Sequence, residues 1–285
     1  MMVTSMSEAC LYIVATPIGH LNDMTFRAVE ILKQVDYIAA EDTRHSKKLM
    51  EHYAISTPMI ALHDHNEAQK SNWVIEQLAT GASIALISDA GTPLISDPGY
   101  VLVNQVIKAG YQVIPIPGAS AVVTALSAAG LPTDAFQFVG FLPAKAAQRQ
   151  QVLQQLLLQT MTVVCYESSH RLLSTLNQLT EFAPARPLVL AKELTKRHER
   201  FIRGTAPQIL DILEHEAALT KGEFVLMLQG TDEVARYNSK QIDQYLMQCD
   251  QLGIGSKAAA ALLADITGQK KNHLYKRLLA LKDVT

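Results

Sequence analysis

Five short apolar runs in the first 120 residues each stop at a cluster of Gly, Pro or charged residues, and this punctuation restricts the fold more than any other feature. Leu11–Ala15 stops at Thr16-Pro17-Ile18-Gly19, and Tyr37–Ala40 at Glu41-Asp42-Thr43-Arg44. Met59–Leu62 stops at His63-Asp64-His65-Asn66-Glu67, Ser83–Ile87 at Ser88-Asp89-Ala90-Gly91-Thr92-Pro93, and Gln112–Ile116 at Pro117-Gly118-Ala119-Ser120. Runs of this length, apolar without alternation, read as strands buried on both faces, which requires a mostly parallel sheet covered by helices on each side. Helices are expected between the runs. One is capped by Asp23 with an apolar stripe of Phe26, Val29, Ile31 and Leu32; others lie near 67–80 and 98–109. All the polar clusters then fall on the carboxyl edge of the sheet, where open α/β sheets bind ligands.

From Ser120 to about Gly230 the pattern changes. An Ala-rich helix is followed by strands at Phe136–Phe141, Met161–Tyr166, Pro187–Ala191, Phe201–Arg203 and Glu223–Leu228, with a helix around 145–159. More strands with fewer helices predict a mixed sheet. Residues 236–285 read as helices only, with Ile242, Tyr245, Leu246 and Cys249 on one stripe. Ser256 is expected to cap a helix closed by Gly268, and a last helix carries Leu274, Leu278 and Leu281 inside. The predicted organisation is α/β at 10–119, α/β at 120–235 and a helix-turn-helix-like module at 236–285. Net charge is −2 overall, but 236–285 holds eight Lys/Arg against four Asp/Glu, a net of +4 on an otherwise acidic chain.

Several classes are disfavoured. Cys10, Cys165 and Cys249 lie far apart, so neither a disulfide framework nor a zinc site is expected, and a reducing cytoplasmic setting is. No apolar run of membrane-spanning length and no signal peptide is read. The first turn, Thr16-Pro17-Ile18-Gly19, is not G-x-G-x-x-G, which argues against a nicotinamide enzyme. His63 and His65 point to one side of an extended segment but lack a third ligand at recognisable spacing, so no metal is expected.

Chemistry is sought among the strand-end side chains. The groups able to accept a proton or orient a hydroxyl are His63, Asp64, Glu67, Glu167 and Glu199. Arg44, His170, Arg171, Lys196 and Arg197 are candidates for holding phosphate or ribose, and Lys270 and Lys271 begin the basic last helix. The run from Lys192 to Arg203 reads either as a solvated face or as an anion-facing loop. Asp89 at a strand end either lines a polar pocket or stabilises its own turn.

The segments VATPIGHLNDMTFRA, AEDTR, HDHNE, ISDAGTPLISDPG, PIPGASA, YESSHR, KELTKRHE and KGEFV together resemble the tetrapyrrole-methylase superfamily. They most resemble its bacterial branch that 2′-O-methylates a cytidine of 16S rRNA. Ser169 departs from the branch, standing where its YES-x-HR motif carries Pro. The resemblance spans Leu11 to Leu281. It implies two α/β domains with S-adenosylmethionine in the cleft between them and a homodimer; the C-terminal module occurs in the same branch and is assigned to RNA docking, the alternative being dimer packing or a lid. Matched residue by residue, it implies a donor pocket of Pro17, Asp89, Ala90, Thr92, Ser120, Ala121, Tyr166 and the backbone near Leu194 and Gly222. The alternatives are a methyltransferase acting on a tetrapyrrole precursor, which needs neither the basic module nor the charged run, and a non-catalytic RNA-binding protein.

Overall fold

The computed structural model describes residues 9–63, 66–231 and 239–282. Five strands form the first sheet: β1 (Cys10–Val14), β2 (Tyr37–Ala40), β3 (Met59–Ala61), β4 (Ile84–Ile87) and β5 (Gln112–Ile116). Their order is β3-β2-β4-β1-β5, and every pairing is parallel. Alternate residues serve opposite faces, as strand geometry requires. Tyr12, Ala85 and Ile87 pack with α1 (Phe26–Gln34) and α2 (Thr43–His52); Leu11, Ile84 and Leu86 pack with α3 (Glu67–Ala79) and α4 (Tyr100–Lys108). Both faces are covered, so the strands lack polar alternation.

Two local expectations are corrected. Thr25, not Asp23, caps α1, its hydroxyl accepting from the Ala28 N–H at 3.2 Å, while Asp23 ends a separate 3₁₀ turn, Leu21–Asp23. Phe26 therefore sits at the first helical position and is 93% exposed; Ala28 and Leu32 are the residues that face the sheet. Helix α2 was not expected. It starts where Asp42 accepts from the Arg44 N–H at 2.8 Å, and it buries only Ser46, Leu49 and Met50, too few apolar residues to stand out in the sequence.

The second sheet contains β6 (Phe136–Phe141), β7 (Thr162–Ser168), β8 (Leu188–Lys192), β9 (Arg200–Gly204) and β10 (Glu223–Leu228), in the order β6-β7-β10-β8-β9. β6 and β7 pair in parallel and the other three pairings are antiparallel. One face packs on α6 (Ala146–Leu156), α7 (Leu172–Phe182) and α8 (Ala206–His215). The other packs on α5 (Ala121–Ala129), the helix that follows β5, through Val122, Ala125, Leu126 and Ala129. α5 thus couples the carboxyl edge of the first sheet to a face of the second.

The helices α9 (Ser239–Gln251), α10 (Ser256–Thr267) and α11 (Lys271–Lys282) enclose their own core of Ile242, Leu246, Cys249, Leu263, Leu274 and Leu278. Arg277 clamps Asp243, and Lys282 pairs with Asp250. Gly268 ends α10 in the left-handed region at φ +70°, as expected. Tyr245 leaves its predicted stripe and is exposed, and Ser256 is the first helical residue instead of the cap.

Candidate functional site

Three polar strand ends of the first sheet are stitched together by backbone groups. Thr16 and Gly91 exchange N–H···O bonds of 2.8 and 3.0 Å, and the Thr16 hydroxyl donates to the Ser88 carbonyl at 3.1 Å. The Thr92 hydroxyl donates to the Ala119 carbonyl at 3.0 Å, joining the turn after β4 to the turn after β5. Facing this edge is the α5-covered side of the second sheet. Between them lies a cavity of about 340 Å³, walled by Ile18, Ala90, Gly91, Thr92, Ser120 and Ala121 on one side and Phe141, Tyr166, Leu194, Gly222, Phe224 and Val225 on the other.

Gly19 sits where the two sides meet. A Cβ there would come within 2.6 Å of the Thr195 hydroxyl oxygen and Lys196 Cγ, and within 2.9 Å of the Leu194 carbonyl oxygen. Next to it the His20 N–H donates to the Thr195 hydroxyl at 3.1 Å. The close approach needs glycine. Among the described residues, five non-glycine residues have positive φ, and four flank this cavity: Leu94, Ser96, Glu193 and Thr195. Backbone held in that region costs energy and concentrates at functional sites.

Ala90, Thr92, Ser120, Ala121, Tyr166, Leu194 and Gly222, all anticipated as donor-pocket residues, line the cavity. The other two anticipated positions lie beside it. Pro17 is buried next to Ile18, which lines it. The Asp89 carboxylate accepts from the Asp42 N–H at 3.1 Å and so ties the turn after β4 to the start of α2. Three acids line the cavity, Asp97, Glu167 and Glu223; Asp97 was missed in the sequence although it stands in the quoted SDPG segment. Burial pushes the Asp97 carboxyl up to about 6; the Ser88 hydroxyl opposes this, and the charges of Glu41 and Asp89 add to it. Tyr166 is raised to about 12, first by burial and then by the charge of Asp97, so its hydroxyl keeps its proton. Phe138 and Phe141 meet Tyr166 edge-on, with ring centroids 4.9 and 5.3 Å away.

The predicted proton acceptors are scattered. Glu67 is buried under α4, where its carboxylate accepts from the Leu102 N–H at 3.0 Å and caps a helix whose N-cap residue is Gly99. His63 donates its N–H to the Asn66 side chain at 2.9 Å and does not line the cavity; Asp64 lies outside the described residues. Glu199 accepts from the Thr195 N–H at 2.7 Å and braces the loop after β8. Glu167 borders the cavity, but its side chain alternates with Tyr166 to the opposite face. There it accepts from the Ser168 N–H (2.8 Å), Arg171 Nε (3.1 Å) and the Thr175 hydroxyl (2.6 Å). The YESSHR turn closes with Ser169 in place, through Arg171 N–H to the Ser168 carbonyl at 3.0 Å.

Three of the seven anticipated anion-binding cations, Arg44, Arg171 and Lys196, are paired with carboxylates, as is Arg200 of the charged run. Arg171 belongs to Glu167. Lys196 bridges Glu193 and Glu223 at 3.1 and 3.0 Å. Burial acts to raise the Glu193 carboxyl, yet the Glu223 N–H and the Lys196 ammonium together hold it below the usual range. Arg200 pairs with Glu216, and Arg203 donates to the carbonyls of Ala128 and Ala129 at the end of α5. The charged run is therefore largely neutralised from within. Arg197, His170, Lys270 and Lys271 stay exposed. Arg44, with its side chain 90% exposed, leans on Asp42 at 3.1 Å.

Comparison with known proteins bears on this geometry. The family model of the Tetrapyrrole (Corrin/Porphyrin) Methylases matches residues 10–210, and that of the RsmI C-terminal HTH domain matches 255–282. Two proteins named Ribosomal RNA small subunit methyltransferase I are close relatives. The one from Pasteurella multocida is 49% identical, covering 93% of this chain and 95% of its own; the one from Escherichia coli O157:H7 is 46% identical, covering 96% of both. Among solved structures, diphthine synthase superposes with a TM-score of 0.60 at 12% identity, covering 78% of this chain and 90% of its own. The uroporphyrin-III-C-methyltransferase of Thermus thermophilus superposes with a TM-score of 0.53 at 20% identity, covering 78% and 94%. With two sheets meeting at a walled cavity, a matching family model over most of the length and relatives near half identity, the chain belongs to the tetrapyrrole (corrin/porphyrin) methylases, among the proteins named ribosomal RNA small subunit methyltransferase I.

Proposed function

We propose that this protein transfers the methyl group of S-adenosylmethionine to the ribose 2′-oxygen of a cytidine in 16S rRNA. The observation that carries this reading is the cavity between the sheets. Its volume of about 340 Å³ falls within the size of small-molecule sites, about 300–1,000 Å³. Its walls also suit the donor: backbone turns at Ala90–Thr92 and Ser120, and apolar side chains at Ile18 and Leu194. Relatives near half identity, all named for the small-subunit rRNA, supply the substrate.

When bound, S-adenosylmethionine supplies a methyl group already activated by its sulfonium. The protein's part is to align the ribose oxygen and to receive its proton. Alignment supplies roughly 7–11 kcal/mol in well-organised sites, whereas a general base contributes about 10²–10⁴-fold, or ~3–5 kcal/mol. Asp97 takes the proton in this proposal. It lines the cavity, and its raised affinity for protons makes it a stronger base than an exposed carboxylate. Glu167 positions Tyr166 through the β7 turn, held by the Ser168 N–H and by its ion pair with Arg171.

The working units are the two sheet domains, 10–119 and 120–235, and the basic module 236–285, which docks RNA through α11 and its exposed Lys270 and Lys271. The enzyme acts as a homodimer in the cytosol. Purified protein incubated with radiolabelled S-adenosylmethionine and under-methylated small ribosomal subunits should leave label in 16S rRNA at a position that resists alkaline hydrolysis. Donor binding without labelled RNA would overturn the substrate assignment and favour a tetrapyrrole.

A further inference from the structure

Strand β6 ends on an aromatic ring that the fold leaves in the open. Phe141 is 57% exposed, yet it lines the cavity and meets the Tyr166 ring edge-on. Its placement is specified. The β6–β7 register shifts between Phe138 and Phe141, and Gly140 takes φ +68° within that shift. A Cβ on Gly140 would lie 3.3 Å from the Ser96 hydroxyl oxygen, so the irregularity seats β6 against the loop of the first domain that carries Ile95 and Asp97. Bulges of this kind re-aim a side chain beside an active site. On the first-domain side Ile95, also on the cavity wall, is 44% exposed, between Leu94 and Ser96 in the left-handed region.

Two apolar side chains from two domains, both half-open, line the same cavity as Asp97. Proteins that read single-stranded RNA splay bases out and stack them on aromatic side chains. We propose that Phe141, braced by Tyr166, is the stacking platform for an unstacked nucleobase of the RNA substrate, with Ile95 as the apolar contact from the first domain. A base seated there carries its own ribose into the cavity. This inference rests on the methyl-transfer reading above and adds to it the residue that holds the target nucleotide.

The test compares Phe141→Leu, which keeps apolar bulk without a π-face, with Phe141→Trp, which enlarges it. Three quantities are measured for each: methyl-transfer kinetics on under-methylated small subunits, S-adenosylmethionine affinity by calorimetry, and oligomeric state by sedimentation. Phe141→Leu should raise KM for the subunits about tenfold or more, in line with the loss of one base stack, with donor affinity and oligomeric state unchanged. Phe141→Trp should stay near wild type. An unchanged KM in Phe141→Leu would overturn the platform. So would a matching loss of donor affinity, which assigns the ring to the donor, or a shift in oligomeric state, which assigns it to a second copy of the chain. A wild-type enzyme that binds donor but labels no RNA would sink the methyl-transfer reading itself, and the platform with it.

Discussion

The two walls of the cleft are made of different materials. On the first-domain side the surface is mostly turn backbone, with Thr16 and Gly91 locked by paired N–H···O bonds and the Thr92 hydroxyl spent on the Ala119 carbonyl. On the second-domain side it is side chains, with Tyr166 held between Phe138 and Phe141 and anchored behind by the bonds of Glu167 to Ser168, Arg171 and Thr175. A backbone wall is insensitive to most side-chain changes but intolerant of added bulk. A side-chain wall behaves oppositely, because each group depends on its partners. Small residues at Ala90–Thr92, Ser120 and Ala121 therefore define much of the first wall, with Asp97 as its acid, whereas the second rests on a buried ionic network.

The sharpest way to break this contrast is Glu167→Ala. The carboxylate is fully buried, and its loss strands the Thr175 hydroxyl and the Arg171 guanidinium. Removing one partner of a buried pair typically costs about 3–5 kcal/mol. Urea unfolding should show a loss near the lower end, since Arg171 is partly exposed; a loss within ~0.5 kcal/mol would mean the second wall does not depend on its network.

Asp97→Asn should have the next largest effect, lowering kcat by about 10²-fold as expected for loss of a general base, with donor affinity changed far less. The pH profile gives the sign. With its carboxyl near 6, Asp97 is ionised and able to accept a proton above that value, so wild-type kcat should fall as pH drops through about 6. The variant should lack that limb. Stability runs the other way. The folded state binds this proton more tightly than the unfolded chain does, so the contribution of Asp97 grows as pH falls from about 6 toward the ordinary carboxylate value and is absent above. Asp97→Asn should accordingly melt slightly higher than wild type at pH 8. A profile with the acid limb intact would remove Asp97 as the proton acceptor.

Gly19→Ala tests the seam between the walls. With a Cβ 2.6 Å from atoms of Thr195 and Lys196, the domains must part or the loop must shift, and donor affinity in calorimetry should fall about tenfold, or ~1.4 kcal/mol. Undiminished affinity would show that closure at this point does not shape the donor site. The smallest effect is expected from the double replacement of Lys270 and Lys271 by Ala. RNA affinity should drop several-fold at low salt, and the slope of log affinity against log salt should flatten by about 2, one per phosphate contact. An unchanged slope would remove α11 from the RNA interface.

Much of this was legible beforehand. β2, β5, β6 and β10 occupy the residues their apolar runs marked, and the polar clusters do fall at the carboxyl ends of the first-sheet strands. Helix α2 escaped notice because it is polar on average, and its buried face holds only Ser46, Leu49 and Met50. Phe26 was misassigned because the apolar stripe was run to the end of the helix, whereas Phe26 is the first helical residue and only Ala28 and Leu32 are buried; the choice of Thr25 over Asp23 as cap is decided by local geometry.

By itself the sequence determined the strands, the places where they stop and the chemical character of those stops. These properties are encoded over a few residues, by burial on both faces and by breakers that end a run. Tertiary structure alone decided which stop residue does what. Glu67 meets Leu102, 35 positions away, and becomes a helix cap; Asp89 meets Asp42, 47 positions away, and becomes a brace; His20 meets Thr195 across 175 positions and closes the cleft. Asp97 faces the cavity together with Glu223, and nothing in its SDPG segment marks that placement. A carboxylate's role follows from its donors and its distance from water, and packing between distant segments sets both.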